Sequence, residues 1–436
     1  MSPIGIGFCG IAAALLLISI RVPIGLSLAV VAIGGIASLV SWDVAFSMLS
    51  YSTYDTIASW ELSAIPMFLL MGTLAFHSGL TTTLFDAARL WLSWLPGGLA
   101  VSTNFACAGF AAASGSSLAT TVTIGKIALP EMRRYGYDNG LACGVVASAG
   151  TLGSLIPPSV IMILIGIFAE VPILSLFIAA IVPGIITALV FAGIVIIRVW
   201  LRPDLAPRVE ADASWSERMK ALASIWPLPV LVLGVVGALY IGIVTPTQAG
   251  AFGAALTFLL ALVRKQMTWR KLKNALWDTL TSTASIFFIV IGAVLLTRFM
   301  SFSGLPEFLT EVMKDAGVSP YAVILFVAII YLVLGMFLDP LGVLFLTLPI
   351  FIPIFNNAQL DMVLMGILIV KLIEIGLMTP PVGLNVFAVK SLVPDVPLGT
   401  IFRGVAWFMV ADLGIIAIMA VFPDITLFLP RLLGIH

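Results

Sequence analysis

The chain of 436 residues is 61% hydrophobic and 10% charged, and its 21 basic residues balance its 21 acidic ones. Soluble domains carry about 25% charged residues, so this composition predicts an all-α polytopic membrane protein. The scarcity of charge and the lack of a basic excess exclude nucleic acid as a partner. Three cysteines in apolar segments, without a Cys-x-x-Cys pair, indicate neither a disulfide framework nor a metal site.

Eight apolar segments have the length of about 20 residues that a helix needs to cross the hydrocarbon of a bilayer. They are residues 4–20, 22–41, 60–79, 172–197, 226–244, 247–263, 280–302 and 405–422. Between them lie two hydrophobic regions that are cut into shorter pieces, residues 98–170 and residues 319–393. These two broken regions carry most of the functional information in the sequence.

The first broken region begins with a helical pattern at residues 98–113, about 24 Å long, which is short for a crossing. It ends at "SGSS", residues 114–117, a run of turn-forming residues. A second short helix at residues 118–130 then leads back, which predicts a re-entrant hairpin. The next helix, residues 137–149, stops at "GTLGSLIPP", and another begins at Ser159. A proline inside a helix costs about 3 kcal/mol, so this pattern predicts one crossing made of two half-helices.

The second broken region repeats this plan. Its helices at residues 320–334 and 341–355 enclose the turn "GMFLDP", and half-helices at 361–375 and 384–393 flank the break "GLMTPPVG". The spacing from the hairpin turn to the first proline of the break is 43 residues in the first region and 45 in the second. An internal duplication is the simplest explanation of this agreement.

Lysine and arginine concentrate in loops on the cytoplasmic side of membrane proteins. Most basic residues of this chain fall on one side of the predicted crossings: Arg21, Arg89, Arg133, Arg134, Arg198, Arg202, Arg208, Arg218, Lys220, Arg264, Lys265, Arg270, Lys271, Lys273 and Arg403. The opposite loops contain none, apart from Lys314 in the 303–319 loop and Arg431 in the C-terminal tail. This alternation predicts five crossings in each half, an inverted repeat, and both termini on the periplasmic side.

Unwound backbone within a membrane is tolerated where it is buried in protein or lines a cavity. Its bare carbonyl oxygens suit Na⁺, and the N-termini of half-helices suit an anionic group. The predicted Na⁺ ligands of the first hairpin and break are Ser114, Gly115, Ser116, Ser117, Gly150, Gly153 and Pro157. Those of the second are Gly335, Asp339, Gly376, Thr379, Pro380 and Gly383, and the substrate-facing candidates are Ser159 and Asn385. The simpler alternative is that the prolines only kink helices and the polar tips only reverse the chain.

Two residues in the second broken region are charged within the membrane. Lys371 and Glu374 are three residues apart on one helix, so we expect an ion pair that anchors the helix, with a role in coupling as the alternative. Asp339 followed by Pro340 is typical of a helix N-cap, and its carboxylate is also a candidate Na⁺ ligand. No arginine clamp for a carboxylate lies near the hairpin tips; Lys126, Arg298 and Lys390 are the basic candidates.

The stretches "AAASGSSLATTVTIGKIALPEMRRYGYDNGLACGVVASAGTLGSLIPPSVIMILIGIFAE" and "GMFLDPLGVLFLTLPIFIPI…LIEIGLMTPPVGLNVF" resemble the large membrane subunit of tripartite ATP-independent periplasmic (TRAP) transporters. The resemblance implies Na⁺-driven uptake of an organic acid by an elevator motion, in the bacterial inner membrane, with no cofactor besides the coupling ion. It also implies a small four-helix membrane subunit and a periplasmic substrate-binding protein as partners. Many members carry an acidic residue after the first tip, in the pattern "SGSAVAD", whereas this chain reads "SGSSLATT".

From these patterns we divide the chain into five parts. Residues 1–97 are scaffold helices, 98–170 the first half of the transport domain, 171–318 scaffold helices and cytoplasmic loops, 319–393 the second transport half, and 394–436 the final scaffold helix. An enzyme is not expected, because there is no Gly-x-Ser-x-Gly elbow and the chain has only two histidines. An ATP-driven permease is not expected either, since the phosphate-binding Gly-x-x-x-x-Gly-Lys motif is absent. A stand-alone Na⁺-coupled anion symporter of related inverted-repeat plan is the remaining alternative.

Overall fold

The fold was obtained as a computed structural model that describes residues 1–79, 82–208 and 213–435. Within these ranges the regular elements are helices, and no strand occurs. The helices of the first half are α1 (Pro3–Ser19), α2 (Ile24–Leu39), α3 (Trp42–Ala58), α4 (Ala64–Ser78), α5 (Thr82–Leu92), α6 (Gly98–Ser114), α7 (Ser117–Arg134), α8 (Asn139–Gly150), α9 (Leu152–Leu155), α10 (Val160–Phe168) and α11 (Ile173–Leu201).

The helices of the second half follow after residue 212. They are α12 (Trp215–Ser224), α13 (Pro227–Tyr240), α14 (Pro246–Val263), α15 (Trp269–Ser303), α16 (Leu305–Asp315), α17 (Pro320–Gly335), α18 (Pro340–Asn357), α19 (Met362–Gly376), α20 (Leu384–Leu392), α21 (Leu398–Val421) and α22 (Asp424–Leu432). The boundaries of both broken regions agree with the predicted ones to within four residues.

Among the described residues, seven helices are long and apolar enough to cross a membrane, and an eighth span results if α8–α9 and α10 count as one bent crossing. The two parts of that crossing are inclined by 41° at the predicted break. Helix α18 is itself 18 residues long and meets the criterion for a span. The count of ten crossings and the re-entrant character of the two hairpins therefore remain predictions.

Two segments that the sequence placed in loops are helices. Residues 42–59 form α3, whose N-terminus is capped by Ser41, with the side-chain oxygen accepting from the backbone N–H of Val44. The aromatic side chains of α3 at Trp42, Tyr51 and Tyr54 are exposed, which is the pattern of a helix lying at the membrane surface. Residues 305–315 of the other predicted loop form α16. The loop interpretation was wrong because a polar face interrupts the apolar run without interrupting the helix.

Helices α11 and α21 pack against the broken helices. The extensive contact between α21 and α8 is close enough that a Cβ on Gly144 would lie 2.6 Å from the carbonyl carbon of Gly404. Asn104 of α6 donates from Nδ2 to the carbonyl oxygen of Ala188 in α11, at 2.8 Å. These contacts join α11 and α21, which the predicted division assigned to the scaffold, to the first hairpin and the broken helices.

A second group of helices surrounds the long helix α15, which also packs against α18 of the second hairpin region. Its most extensive contacts are with α2 and α4, and α4 also packs along α14. Small residues allow the approach of α2 to α15, since a Cβ on Gly292 would lie 2.5 Å from the carbonyl oxygen of Gly25. How these two groups move relative to each other is not determined by their packing, so the division into transport and scaffold domains stays a prediction.

Candidate functional site

Both hairpin tips and both helix breaks line one cavity of about 580 Å³, which we call the central cavity. We define the first hairpin as α6–α7, the second hairpin as α17–α18, the first break as residues 151–159 and the second break as residues 377–383. The polar residues lining the cavity are Gly115, Ser116, Ser117, Ser154, Thr281, Ser282, Ser285, Asp339 and Asn385. One residue of each break, Ser154 of the first and Leu377 of the second, thus lies on the wall of the same cavity.

The first tip packs directly against the first break. Gly115 adopts a left-handed conformation with φ of +61°, and a Cβ there would lie 2.7 Å from the carbonyl oxygen of Pro158. A Cβ on Gly153 would lie 2.5 Å from the carbonyl oxygen of Ser116. Glycine is required at both positions because the two backbones touch without space for a side chain. Ser116 then caps α7, its Oγ accepting from the N–H of Ala119 at 3.4 Å.

The second tip meets the second break in the same way. A Cβ on Gly335 would lie 2.9 Å from the Cα of Gly376, the last residue of α19. Asp339 caps α18, with Oδ1 accepting from the N–H of Gly342 at 3.2 Å. Gly383 ends the break at φ of +61°, and the N–H of Asn385 donates across the break to the carbonyl oxygen of Leu377 at 3.0 Å.

Four helix N-termini converge on the central cavity. The first two residues of each of these helices line it: Ser117 and Leu118 of α7, Val160 and Ile161 of α10, Pro340 and Leu341 of α18, and Leu384 and Asn385 of α20. The first N–H groups of a helix have no intrahelical partner, and the N-terminus carries about half a positive elementary charge. The cavity is thus surrounded by the positive ends of four helices.

Glu374 connects the second broken helix to the first tip. It is only 1% exposed, and its Oε2 accepts a hydrogen bond of 2.6 Å from the Oγ of Ser117. Ser117 also contacts the Oγ of Ser154 at 2.8 Å, so Ser154 is the donor in that pair. No hydrogen-bond partner of Glu374 Oε1 lies within the described residues. The first tip has no acidic residue of its own, and the structure supplies one from the other half of the chain.

The predicted ion pair between Lys371 and Glu374 is wrong. The ammonium group of Lys371 pairs instead with the carboxylate of Asp412 in α21, and it donates to the Oγ1 of Thr187 in α11 at 3.1 Å. Both charged side chains of this pair are at most 1% exposed. Although residues three apart on a helix lie on the same face, Lys371 reaches Asp412 and Thr187 of the neighbouring helices while Glu374 reaches Ser117, because a buried charge persists only with a partner and each side chain finds its partner across a helix contact.

Several predicted ligands use their side chains within their own segment. Ser114 Oγ lies 3.0 Å from Thr120 Oγ1, and Thr379 Oγ1 donates to the carbonyl oxygen of Ile375 at 2.7 Å. Ser159 is buried and caps α10, its Oγ accepting from the N–H of Met162. Like these three residues, Gly150, Gly153, Pro157, Gly335, Gly376, Pro380 and Gly383 are not among those lining the central cavity.

Asn385 is the candidate whose placement agrees best with a ligand role. It is completely buried and lines the cavity, and its Nδ2 donates to the carbonyl oxygen of Ala147 in α8 at 3.3 Å. Its Oδ1 has no hydrogen-bond partner within the described part of the chain. Asn385 therefore joins the two halves and leaves one buried acceptor free next to the cavity.

Sequence reasoning missed the polar face of α15 toward the cavity. Thr281, Ser282 and Ser285 line it, together with Leu69 of α4. These residues lie in the run "TSTAS", in which hydroxyl residues recur at the start of an apolar segment. That recurrence could have identified the face, because hydroxyl groups in apolar helices mark polar pathways or helix contacts.

The charges around the cavity are few. Asp339 is the one ionisable residue lining it within the described residues, and none of Lys126, Arg298 and Lys390 reaches it. Among the described residues, the lining presents helix ends, hydroxyls, one amide and one carboxylate, and it offers no catalytic acid–base pair. A cavity with a few polar groups on largely apolar walls, placed at paired helix breaks inside a bundle of apolar helices, is typical of membrane transport proteins.

Comparison with known proteins agrees with this class. Residues 11–425 match the family described as "Tripartite ATP-independent periplasmic transporter, DctM component". The chain belongs to this family. It is accordingly a multi-pass protein of the bacterial inner membrane and a transport subunit, not an enzyme.

Individual relatives cover most of the chain. This chain is 36% identical over 390 residues to the C4-dicarboxylate TRAP transporter large permease protein DctM of Pseudomonas aeruginosa. The match covers 88% of this chain and 90% of the relative. This chain is also 32% identical over 375 residues to the ectoine/5-hydroxyectoine TRAP transporter large permease protein UehC of Ruegeria pomeroyi. That match covers 85% of this chain and 86% of the relative. In fold it is similar to the YdaH transporter of Alcanivorax borkumensis, with a TM-score of 0.60 at 16% identity over 88% of this chain and 89% of that one.

Proposed function

We propose that the chain imports an organic acid by Na⁺-coupled secondary transport, with the acid bound in the central cavity. The observation that carries this proposal is the convergence of four helix N-termini on that cavity, beside two stretches of unwound backbone. Helix N-termini bind carboxylates without a lysine or arginine, because their free N–H groups donate and their dipoles attract negative charge. The absence of basic side chains from the described lining is then compatible with an anionic substrate.

The two breaks are the proposed Na⁺ sites. At the first, the ligands are the oxygens of the "SGSS" tip and of the first break, with Glu374 as the nearby carboxylate. At the second, Asp339 and the carbonyl oxygens around Gly335, Gly376 and Gly383 take this role. One Na⁺ entering across 100 mV provides about 2.3 kcal/mol, roughly a 50-fold gradient, so two sites suit the accumulation of an anion.

The proposed substrate is a C4-dicarboxylate, in keeping with the relative from Pseudomonas aeruginosa. Ectoine, named for the relative from Ruegeria pomeroyi, is the competing substrate in the test below. A periplasmic binding protein delivers the substrate, and a small four-helix membrane subunit packs against the exposed apolar helices. Both termini face the periplasm, and the hairpins move with the broken helices in an elevator motion.

Uptake in proteoliposomes tests the coupling ion. The complex of this chain with its small subunit, supplied with the binding protein and labelled succinate, is expected to transport only with an inward Na⁺ gradient. The double variant Ser117→Ala with Asp339→Asn removes one oxygen ligand and one charge from the proposed Na⁺ sites, each worth about 1.5–3 kcal/mol of binding free energy. The Na⁺ concentration that gives half-maximal uptake should therefore rise at least about tenfold. The matched control, Ser301→Ala with Asp424→Asn, changes exposed residues away from the cavity.

The same assay separates the alternatives. Uptake that is independent of Na⁺, or a double variant with unchanged Na⁺ dependence, contradicts the proposed ion sites. Uptake of ectoine in preference to succinate contradicts the proposed substrate but not the proposed Na⁺ coupling. Uptake by this chain alone, without small subunit and binding protein, identifies a stand-alone symporter.

A further inference from the structure

A second cavity, of about 570 Å³, lies away from the central one and has almost entirely apolar walls. We call it the apolar cavity. It is bounded by α1, α16, α17 and α18, with Phe8, Leu15, Leu309, Phe326 and Phe351 among its walls. It lies between the second hairpin and the helices α1 and α16, which contact each other, and α16 also packs against α18 of the hairpin.

The apolar cavity is elongated along α17. Its lining residues on that helix run from Ala322 to Leu334, a rise of about 18 Å at 1.5 Å per residue. The hydrocarbon core of a bilayer is about 30 Å thick, so one leaflet is about 15 Å deep. The cavity thus has the length of one extended acyl chain in a single leaflet.

One end of this cavity is polar. A smaller cavity of about 230 Å³ shares the lining residues Met313, Val318 and Ile354 with it, so the two cavities are adjacent. The smaller cavity is also lined by Lys314 of α16 and Asn357 at the end of α18. Together they form one amphipathic space, with hydrogen-bond donors at the mouth and hydrocarbon side chains within.

The charge at the mouth suits a phosphate group. Lys314 is the single basic residue of the 303–319 loop, on the side where loops are almost free of lysine and arginine. An ammonium group binds phosphate as a point charge, and the amide of Asn357 adds a neutral donor. A large cavity with dry apolar walls does not retain water, whereas lipid chains are present at high concentration around a membrane protein.

We propose that this amphipathic space binds one phospholipid of the periplasmic leaflet. One acyl chain lies along α17 in the apolar cavity, and the phosphate lies between Lys314 and Asn357. The lipid fills the surface between the second hairpin and the helices α1 and α16. The proposal concerns lipid binding only and does not depend on the substrate or the coupling ion.

Photolabelling of the full chain tests the acyl-chain position. The chain is reconstituted into vesicles of phosphatidylethanolamine and phosphatidylglycerol that contain a phosphatidylglycerol with a diazirine in its acyl chain. Labelled peptides are expected from α1, α16, α17 and α18. Ala322→Trp places an indole in the cavity and should reduce this labelling about tenfold, which corresponds to about 1.4 kcal/mol. Ala417→Trp, at an exposed position of α21, is the matched control and should label as the wild type does.

The headgroup is tested by competition. Unlabelled phosphatidylglycerol should displace the photolabel at least about tenfold better than a diacylglycerol with the same chains, as expected for a charge-assisted hydrogen bond. In the Lys314→Gln variant, the advantage of phosphatidylglycerol over the diacylglycerol as a competitor should fall to about twofold, while displacement of the photolabel by the diacylglycerol is unchanged.

Three results would overturn the proposal. One is labelling of these four helices that is equally strong in Ala322→Trp and Ala417→Trp. Another is an absence of labelled peptides from them in the wild type. The last is loss of labelling when the small membrane subunit is present, since the space would then belong to a protein helix.

Discussion

The two broken helices are built alike but are held in place by different forces. The first begins with α8, "NGLACGVVASAG", which has no charged side chain and packs through small residues against α21. The second begins with α19, whose Lys371 and Glu374 are buried and bind side chains of α11, α21 and the first tip. The first half therefore relies on close backbone contact, and the second half relies on buried charge.

This difference shows that a duplicated plan does not give equivalent halves. Small residues let helices approach closely within a membrane, where van der Waals contact replaces the hydrophobic effect. Buried charges are costly there and persist only with partners, so they select one arrangement of neighbouring helices. The second broken helix thus determines which helices surround it, and the first one fits against what the second has arranged.

The two hairpin tips also differ in where their carboxylate comes from. The second tip carries its own carboxylate, Asp339, as the cap of α18. The first tip consists of serines and glycine, and its nearest carboxylate is Glu374, donated by the second broken helix. Both carboxylates at the tips therefore come from the second half of the chain.

Removing one charge of the buried pair should have the largest effect. Asp412→Ala leaves the ammonium of Lys371 buried without a counter-charge, and such changes cost about 3–5 kcal/mol. We expect a strong loss of folded protein and a lower Tm, measured by fluorescence-detected size exclusion after heating in detergent.

Two controls separate charge from packing. The double variant Lys371→Met with Asp412→Leu removes both charges and should recover near wild-type Tm, because an apolar pair of similar size is often neutral. Asp424→Ala breaks an ion pair in which Asp424 is 81% exposed and should cost about 1 kcal/mol at most. An Asp412→Ala protein as stable as Asp424→Ala would show that the second broken helix is not held by charge.

The small-residue contact of the first broken helix should respond to a single methyl group. A Cβ on Gly404 would overlap the carbonyl oxygen of Gly140, so Gly404→Ala must push α21 away from α8. Overpacking of this kind costs about 1–3 kcal/mol. On the same helix, a Cβ on Gly414 meets nothing within 4 Å, and Gly414→Ala should be neutral or slightly stabilising. Equal Tm values for the two variants would contradict the packing described here.

The smallest effect is expected at the surface pair that joins the ends of α7 and α20. Hydrogen bonds from Arg133 hold the pKa of Asp395 below its usual range. A lowered pKa in the folded state gives stability that is present above about pH 4, the usual pKa of aspartate, and is lost as the pH falls through the folded pKa.

This pair is exposed, so Asp395→Asn should lower Tm by only about 1–2 °C at pH 7. At pH 3 the difference from the wild type should be smaller, because the wild-type carboxylate becomes protonated. A difference that grows toward low pH would have the wrong sign for this pair. Thermal unfolding at both pH values in the same detergent provides the measurement.

Local signals in the sequence were sufficient to predict where the helix breaks and the hairpin tips lie. Prolines at 157, 158, 380 and 381 cannot donate backbone hydrogen bonds, and Gly115 and Gly383 have positive φ values that favour glycine. These constraints act within a few residues, so pattern and spacing revealed them. The same kind of local reasoning identified Asp339 as a cap.

The partners of buried charges were not accessible to such reasoning. The spacing of three residues suggested that Lys371 pairs with Glu374. In the structure Lys371 pairs with Asp412, 41 residues away along the chain, and Glu374 accepts from Ser117, 257 residues away. The hydroxyl face of α15 was missed for a related reason, since only the assembled bundle shows which face of an apolar helix meets a cavity.

By itself, the sequence determined that the chain lies in a membrane, that it is interrupted twice in corresponding places, and where each helix starts and stops there. Those features follow from hydrophobicity and from the backbone chemistry of proline and glycine, which are properties of short segments. The tertiary structure alone decided which helices surround the breaks, how Glu374 reaches the first tip, and where an apolar cavity lies beside the second hairpin. Contacts between distant segments depend on the packing of every helix at once, and no single segment encodes them.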